Sequence, residues 1–391
     1  MRYILFTLTA TFLFTAINAQ TWNQYPYIPG GGTGLTFPAD EGFHPSHPVE
    51  WWYTVGHVTG DSTGTEYSYM LTYFAFDTLL WDGFRIFNLA NDETGEFYTD
   101  FAFVNYNTLS EDHLEIDAQK WLSTNETWVT KTDSFGELVP FEYAMQAQDM
   151  NSTGAIDLEY AALKRPLILD TTGFFNQGAS SYTYYYSQSM LSVQGAMTIN
   201  GLTENVTGTA WIDRQWGNFN PSTGEQYEWF CIQLDNGMDF NVWQIFDTED
   251  MIPDTSTYRL VSIFMNDSTD VNTHDFVFDR IQYAYLPDSS NVYSKQWHLV
   301  YDDIDLTLTT LHNNSEVQLP FKFYEGTMEI TGSVGGNPVS GVGFAELLHT
   351  YEVPQMQLNF PLENGGWVGS ETISWDLLNP DGGREVYYDV D

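Results

Sequence analysis

Six carboxylates of this 391-residue chain lie inside aromatic stretches: Asp40, Glu50, Asp213, Glu228, Glu325 and Glu346. A carboxyl group packed against Trp or Phe loses hydration, which raises its pKa and keeps it protonated near neutral pH. Such a group can hand its proton to an electron-rich alkene. The carbocation that results is held by aromatic faces, at ~0.5–2 kcal/mol each, until water captures it. That route is a hydration needing no cofactor, and none is expected. No GxSxG elbow, phosphate-binding glycine loop or HExxH is expected either. His44-Pro45-Ser46-His47, with His57 and Asp40, resembles a metal cluster in composition. Its prolines bar the helix that would align the two histidines, so no metal site is predicted and ordinary hydrogen-bonding roles are expected there.

The composition narrows the partners. With 12 Lys+Arg against 53 Asp+Glu the net charge is −41, which repels phosphate backbones and anionic headgroups, so nucleic acid is excluded as a partner. Arg2, the apolar run Ile4 to Ile17 and the small residue Ala19 read as an export signal cleaved after Ala19, giving a secreted or periplasmic protein. No later stretch approaches the ~20 apolar residues of a membrane helix. The single cysteine, Cys231, lies in the apolar run Trp229-Phe230-Cys231-Ile232 and reads as a buried small hydrophobe. With one cysteine no intramolecular disulfide can form.

The elements that must position the carboxylates are strands. The chain holds 27 Phe, 25 Tyr and 13 Trp, arranged with Val and Thr in short runs broken by turn residues. Such runs are Tyr67 to Phe76, Glu96 to Val104, Tyr182 to Ser187, Phe240 to Phe246, Tyr258 to Met265 and Lys322 to Ile330. Asp235-Asn236-Gly237 marks a hairpin. One short helix is expected near Leu109 to Trp121, and residues 20–36 form an extended lead-in before the fold begins. The class is all-β.

An internal duplication organises these strands. Glu50-Trp51-Trp52-Tyr53 leading to Phe76-Asp77 is echoed by Glu228-Trp229-Phe230 leading to Phe246-Asp247. Gly208-Thr209-Ala210-Trp211-Ile212-Asp213 is echoed by Gly341-Val342-Gly343-Phe344-Ala345-Glu346. Each closing copy places an aromatic and, two residues on, a carboxylate on one strand face. Two β units are predicted, residues 37–217 and 218–391.

Phe37-Pro38, Asp40, Gly42, His44, Glu50-Trp51-Trp52-Tyr53 and Gly56-His57 resemble the opening signature of the AttH/CrtC-like family. The resemblance continues through Tyr184-Tyr185-Tyr186-Ser187, Gly208 to Gly217, Glu228-Trp229-Phe230, Tyr324-Glu325-Gly326 and Gly341 to Glu346. It implies two consecutive lipocalin-like antiparallel β-barrels packed across a cleft. It also implies the company of secreted hydrolases and carotenoid 1,2-hydratases. Many members carry His at the position of Glu41 and Glu at that of Gln215, so this chain departs from the pattern at two sites.

The resulting expectation is a protein that hydrates or hydrolyses a hydrophobic isoprenoid, lipid or aromatic molecule. The alternative is a lipocalin-type carrier of such a ligand; an elevated carboxylate pKa at the cleft separates the two, since a carrier has no use for it. A glycan-binding module is a third reading, disfavoured because the aromatics alternate along strands. Asp213 is expected as proton donor, assisted by Glu228 and by His44 or His57. Trp51, Trp52, Tyr53, Trp211, Trp216, Trp229 and Tyr186 are expected to line the ligand. The same residues also fit an architectural role, with Asp213, Arg214 and Glu228 as an ion network joining the units, Arg214 lowering the Asp213 pKa, and Glu50 and Glu228 at equivalent hairpin positions.

Overall fold

The computed structural model describes residues 22–30, 32–76, 79–219, 223–288, 290–352, 356–360 and 374–377. The proposed export signal lies outside them. Twelve strands form the first sheet: β1 Val49–Gly60, β2 Glu66–Ala75, β3 Gly83–Asn91, β4 Glu96–Leu109, β5 Glu115–Lys120, β6 Asn125–Thr132, β7 Leu138–Gln148, β8 Ala155–Ala162, β9 Leu167–Ile168, β10 Phe174–Gln177, β11 Ser181–Ile199 and β12 Leu202–Asn218. The second has ten: β13 Gln226–Leu234, β14 Asp239–Phe246, β15 Arg259–Asn266, β16 Thr269–Thr273, β17 Val277–Tyr285, β18 Val292–Tyr301, β19 Ile304–Thr310, β20 Glu316–Val317, β21 Phe323–Val334 and β22 Asn337–Leu347. A separate hairpin joins β23 Met356–Phe360 to β24 Ser374–Leu377.

The first sheet closes because β11, 19 residues long, pairs with β12 along one edge and with β8 along the other. Ten of the strands thereby form a ring, while the short β9 and β10 each pair only with β11 and stay outside it. The second sheet runs β16-β15-β14-β13-β22-β21-β19-β18-β17 and curls into a half-barrel whose terminal strands do not meet among the described residues.

The duplication is visible in the pairing. β1 lies between β2 and β12, as β13 lies between β14 and β22. Asp213 stands opposite Tyr53, and Glu346 opposite Trp229. By that register Glu50 corresponds to Gln226 rather than to Glu228, so the two glutamates are not equivalent.

Residue parity sorts the side chains. On β1, Trp52 enters the barrel core with Tyr73, Trp128 and Trp216, whereas Tyr53 and Val55 face the second sheet. On β13, Phe230 and Ile232 fill the half-barrel, whereas Trp229 and Cys231 face the barrel. A third apolar layer therefore lies between the outer faces of the two sheets. Cys231 is buried in that layer.

Three local expectations change. Residues 109–121 hold no helix; Glu115–Lys120 is β5, whose Ile116, Ala118 and Lys120 are buried in alternation, the period of a strand. The lead-in has no strand but does not precede the fold. Trp22, Leu35 and Phe37 are buried in the barrel core, and the Trp22 and Phe141 rings lie 5.7 Å apart. A GxSxG spacing does occur at Gly60-Asp61-Ser62-Thr63-Gly64, but it forms the exposed turn from β1 to β2, with a strand behind it instead of a helix. The Asp235-Asn236-Gly237 hairpin is present between β13 and β14, Gly237 taking the left-handed φ of 87° that such a turn requires.

Candidate active site

The inter-sheet layer opens at one end into a cleft, with about 60 Å³ open to the centres of water molecules, which is room for several. Its walls are aromatic and aliphatic, Trp51, Tyr53, Phe74, Trp229, Trp243 and Phe323 among them, and two carboxylates, Asp213 and Glu346, reach it from opposite sheets. Asp213 comes from β12, where the odd positions Trp211, Asp213 and Gln215 face outward from the barrel. Glu346 comes from β22.

Asp213 is buried among donors. Ser187 Oγ and Trp211 Nε1 each donate to Oδ1 at 2.6 Å, and the Tyr185 hydroxyl donates to Oδ2. Asn241 Nδ2 of the second sheet donates in turn to the Tyr185 hydroxyl at 2.8 Å and to Ser187 Oγ at 3.2 Å, which fixes both. Burial pushes the Asp213 carboxyl up to about 7; the three donors pull it down without cancelling the loss of hydration, and the Glu346 charge adds to the rise.

Glu346 and Glu325 form a carboxyl pair. The Tyr227 hydroxyl donates to Glu346 Oε1, and the Tyr53 hydroxyl donates to Glu325 Oε1 at 2.8 Å. Glu325 Oε2 finds no N–H or O–H donor, but it bonds Glu346 when the pair holds a proton. Burial raises both carboxyls, and repulsion from Glu346 raises Glu325 further. The arrangement lets the two carboxyls share a proton at the cleft.

A family model for AttH-like proteins matches residues 29–351. The chain belongs to the AttH-like family. A crystal structure from Nitrosomonas europaea described as a candidate AttH superposes on this AttH-like chain with a TM-score of 0.67 at 20% identity, covering 83% of this chain and 99% of the other. Kievitone hydratase from Nectria haematococca superposes with a TM-score of 0.63 at 18% identity, covering 82% and 94%. Both likenesses concern the fold. No curated protein matches the chain.

In this AttH-like chain the residues expected at the site divide by parity. Asp213, Trp51, Tyr53 and Trp229 line the cleft, and Trp211 touches it through its bond to Asp213. Trp52, Trp216 and Tyr186 point the other way and belong to the barrel core. Glu228 also points away, into the half-barrel, where it pairs with Arg280 at 2.6 Å and accepts from Ser294, Trp297 and Tyr351. His44 lies at the barrel end between Asp40 and Glu50, stacked on Trp216 at 3.9 Å. Its burial disfavours charge, but hydrogen bonds to both carboxylates outweigh this and raise its pKa. His57 is in the inter-sheet layer against the Phe344 ring at 4.6 Å, four residues or ~13 Å along β1 from Tyr53. Burial lowers its pKa to about 4. Neither histidine reaches Asp213, and the expected Asp213-Arg214-Glu228 network does not form, since Arg214 points into the barrel and pairs with Glu50.

Sequence reasoning named Glu346 among the candidate carboxylates without giving it a role, and gave none to Tyr185, Ser187, Tyr227 or Asn241. For Glu346 the signal was present, because it is the repeat counterpart of Asp213. Of the two departures from the family pattern, Glu41 is buried in the barrel, accepting from Tyr143 at 2.7 Å and from Tyr25. Gln215 lines the cleft beside Trp51 and Tyr185, presenting an amide there.

Proposed function

We propose that this chain adds water to an apolar small molecule held between its two sheets, without a cofactor, in a reaction of the hydratase type. The observation that carries this reading is a buried carboxyl, Asp213, poised near neutrality on an otherwise apolar wall and facing a second carboxylate, Glu346. A carrier gains nothing from a carboxyl so placed, because its desolvation costs stability and its proton serves no binding.

The protonated Asp213 side chain, oriented by Ser187 and the Tyr185–Asn241 pair, delivers a proton to an alkene or carbonyl-conjugated carbon. Positive charge developing on the substrate lies among the rings of Trp51, Tyr53, Trp229 and Trp243. Glu346, held by Tyr227 and backed by Glu325, takes a proton from the water that attacks. Its proton and that of Asp213 exchange with solvent between turnovers, so no net consumption of acid or base occurs.

Native mass spectrometry of the exported protein from its own host identifies the retained ligand. Incubating that ligand with the protein in heavy-oxygen water then tests the reaction: incorporation of one labelled oxygen is expected, and release of unchanged ligand overturns it in favour of a carrier. Export is likewise our reading, as is the division into units of residues 37–217 and 218–391, with the lead-in packing into the first through Trp22 and Leu35. N-terminal sequencing of the exported form is expected to begin at Gln20, and an intact Met1 would overturn it.

A further inference from the structure

One line of residues crosses the barrel from the candidate site to the open surface. Tyr185 pairs with Gln215, Gln215 with Trp51, Trp51 with Phe74, Phe74 with Phe84, and Phe84 with Phe103, each in register on the next strand. Beyond β4, the Trp121 N–H donates to the Phe103 carbonyl at 3.3 Å, placing Trp121 at the end of the same row. The rings touch in sequence, with Phe101 linking Phe84 to Phe103: Trp51 and Phe74 at 5.8 Å, Phe74 and Phe84 at 4.4 Å, Phe84 and Phe101 at 5.6 Å, Phe101 and Phe103 at 5.0 Å, and Trp81 bridges Phe103 and Trp121 at 5.7 Å from each.

This row begins inside the cleft and ends outside it. Trp51 and Phe74 are cleft walls, whereas Phe103 is 41% and Trp121 59% exposed. A solvated outer face of an antiparallel sheet is ordinarily polar. It becomes so one pair further along these strands, where Asn105 faces Gln119. The apolar character is therefore confined to a strip one or two residues wide. At ~4.8 Å per strand the strip runs roughly 19 Å from Trp51 to Trp121, and it carries no charged side chain.

We propose that this strip is a second part of the binding site, holding the far end of an elongated, uncharged molecule of rings or planar apolar chain while its reactive end lies at Asp213. The inference rests on the cleft reading above and deepens it. A compact substrate would be covered by the cleft and leave Phe103 and Trp121 in water; an elongated one continues over ring faces spaced to stack along it. Because the strip lacks charge and the protein is strongly acidic, an anionic tail is disfavoured.

Two uncharged fluorescent probes test this with the mature protein, compact N-phenylnaphthylamine and rod-like diphenylhexatriene, titrated against wild type, Phe103→Ala, Trp121→Ala and the double variant. Both positions are on the surface, and melting temperatures report any change in folding. The double variant is expected to bind the rod roughly 10-fold more weakly, as the loss of two aromatic contacts implies, with the compact probe held within 2-fold. Equal changes for both probes, or none for either, overturn the strip while leaving the cleft standing. Wild-type protein that binds neither probe overturns both. Loss of association with phosphatidylcholine vesicles in the double variant, at unchanged probe affinities, also overturns the proposal and makes the strip a lipid-docking face.

Discussion

Asp213→Asn is expected to lower turnover roughly 10²-fold or more while leaving the fold intact, because it removes a general acid but keeps the shape of the side chain. The amide still meets Ser187, Tyr185 and Trp211 at the same site, so the inter-sheet layer is not opened. The pH profile supplies the sharper test. With its pKa pushed up to about 7 by burial, Asp213 is an acid below that pH and an anion above it. An activity that needs the protonated form therefore falls as pH rises through about 7, and the need for an ionised Glu346 sets a separate limb on the acid side. Asp213→Asn removes the falling limb together with the rate. Glu346→Gln, which removes the base instead, is expected to slow the reaction comparably but to keep the falling limb near 7. Ligand affinity, measured without turnover, should change little in either variant, since the apolar walls are untouched. Full turnover in folded Asp213→Asn protein would exclude this residue as the acid and leave the Glu325–Glu346 pair as the remaining proton source at the cleft.

Much of this arrangement is legible in the chain. The strand class follows from aromatic and β-branched runs. The twofold organisation follows from paired motifs, and the common face of Trp211 and Asp213 follows from a period of two. The same period, applied along β1, β12 and β13, would have set Trp52, Trp216 and Glu228 on the far side from Trp51, Asp213 and Trp229. What the residues do not declare is which face of those strands meets which core. β1 reads Glu50-Trp51-Trp52-Tyr53, aromatic on both faces, because it is buried inside the barrel on one side and beneath the second sheet on the other. Continuous apolar runs carry no orientation. The choice between them is made by long-range pairing, as when Asn241, on β14, reaches Tyr185, 56 positions earlier in the chain. His44 and His57 were set beside Asp213 by their place in the family signature and by the proton chemistry of imidazole. One is committed to Asp40 and Glu50, and the other is sealed against Phe344.

Arg214 shows how far adjacent residues can differ in task, and Arg214→Met is expected to be the most damaging single change to stability. Its guanidinium is buried in the barrel, donating to the carbonyls of Glu41 at 3.2 Å, Trp51 at 2.8 Å and Gly42, and pairing with Glu50. It also lies 4.2 Å over the Trp52 ring. Methionine fills the volume but leaves a buried carboxylate and three carbonyls short of a donor, and breaking a buried pair in this way costs about 3–5 kcal/mol. A fall in melting temperature of roughly 10 °C is expected for units of this size. Arg214→Lys should recover less than half of it, because an ammonium cannot present the fork that reaches all four oxygens at once. His44 limits the loss, since its backbone N–H, at 2.7 Å, and its ring Nδ1, at 2.9 Å, both stay on that carboxylate. Below its melting temperature the Arg214→Met protein tests the site as well. If Arg214 set the protonation of Asp213, its removal would raise the pKa and shift the falling limb to higher pH. The two side chains leave β12 on opposite faces, and the causes acting on Asp213 are burial, its own three donors and Glu346. The limb is therefore expected to stay near 7 in a protein that melts far earlier, and a shift of the limb with the stability would show that the barrel interior, rather than the inter-sheet layer, governs the acid.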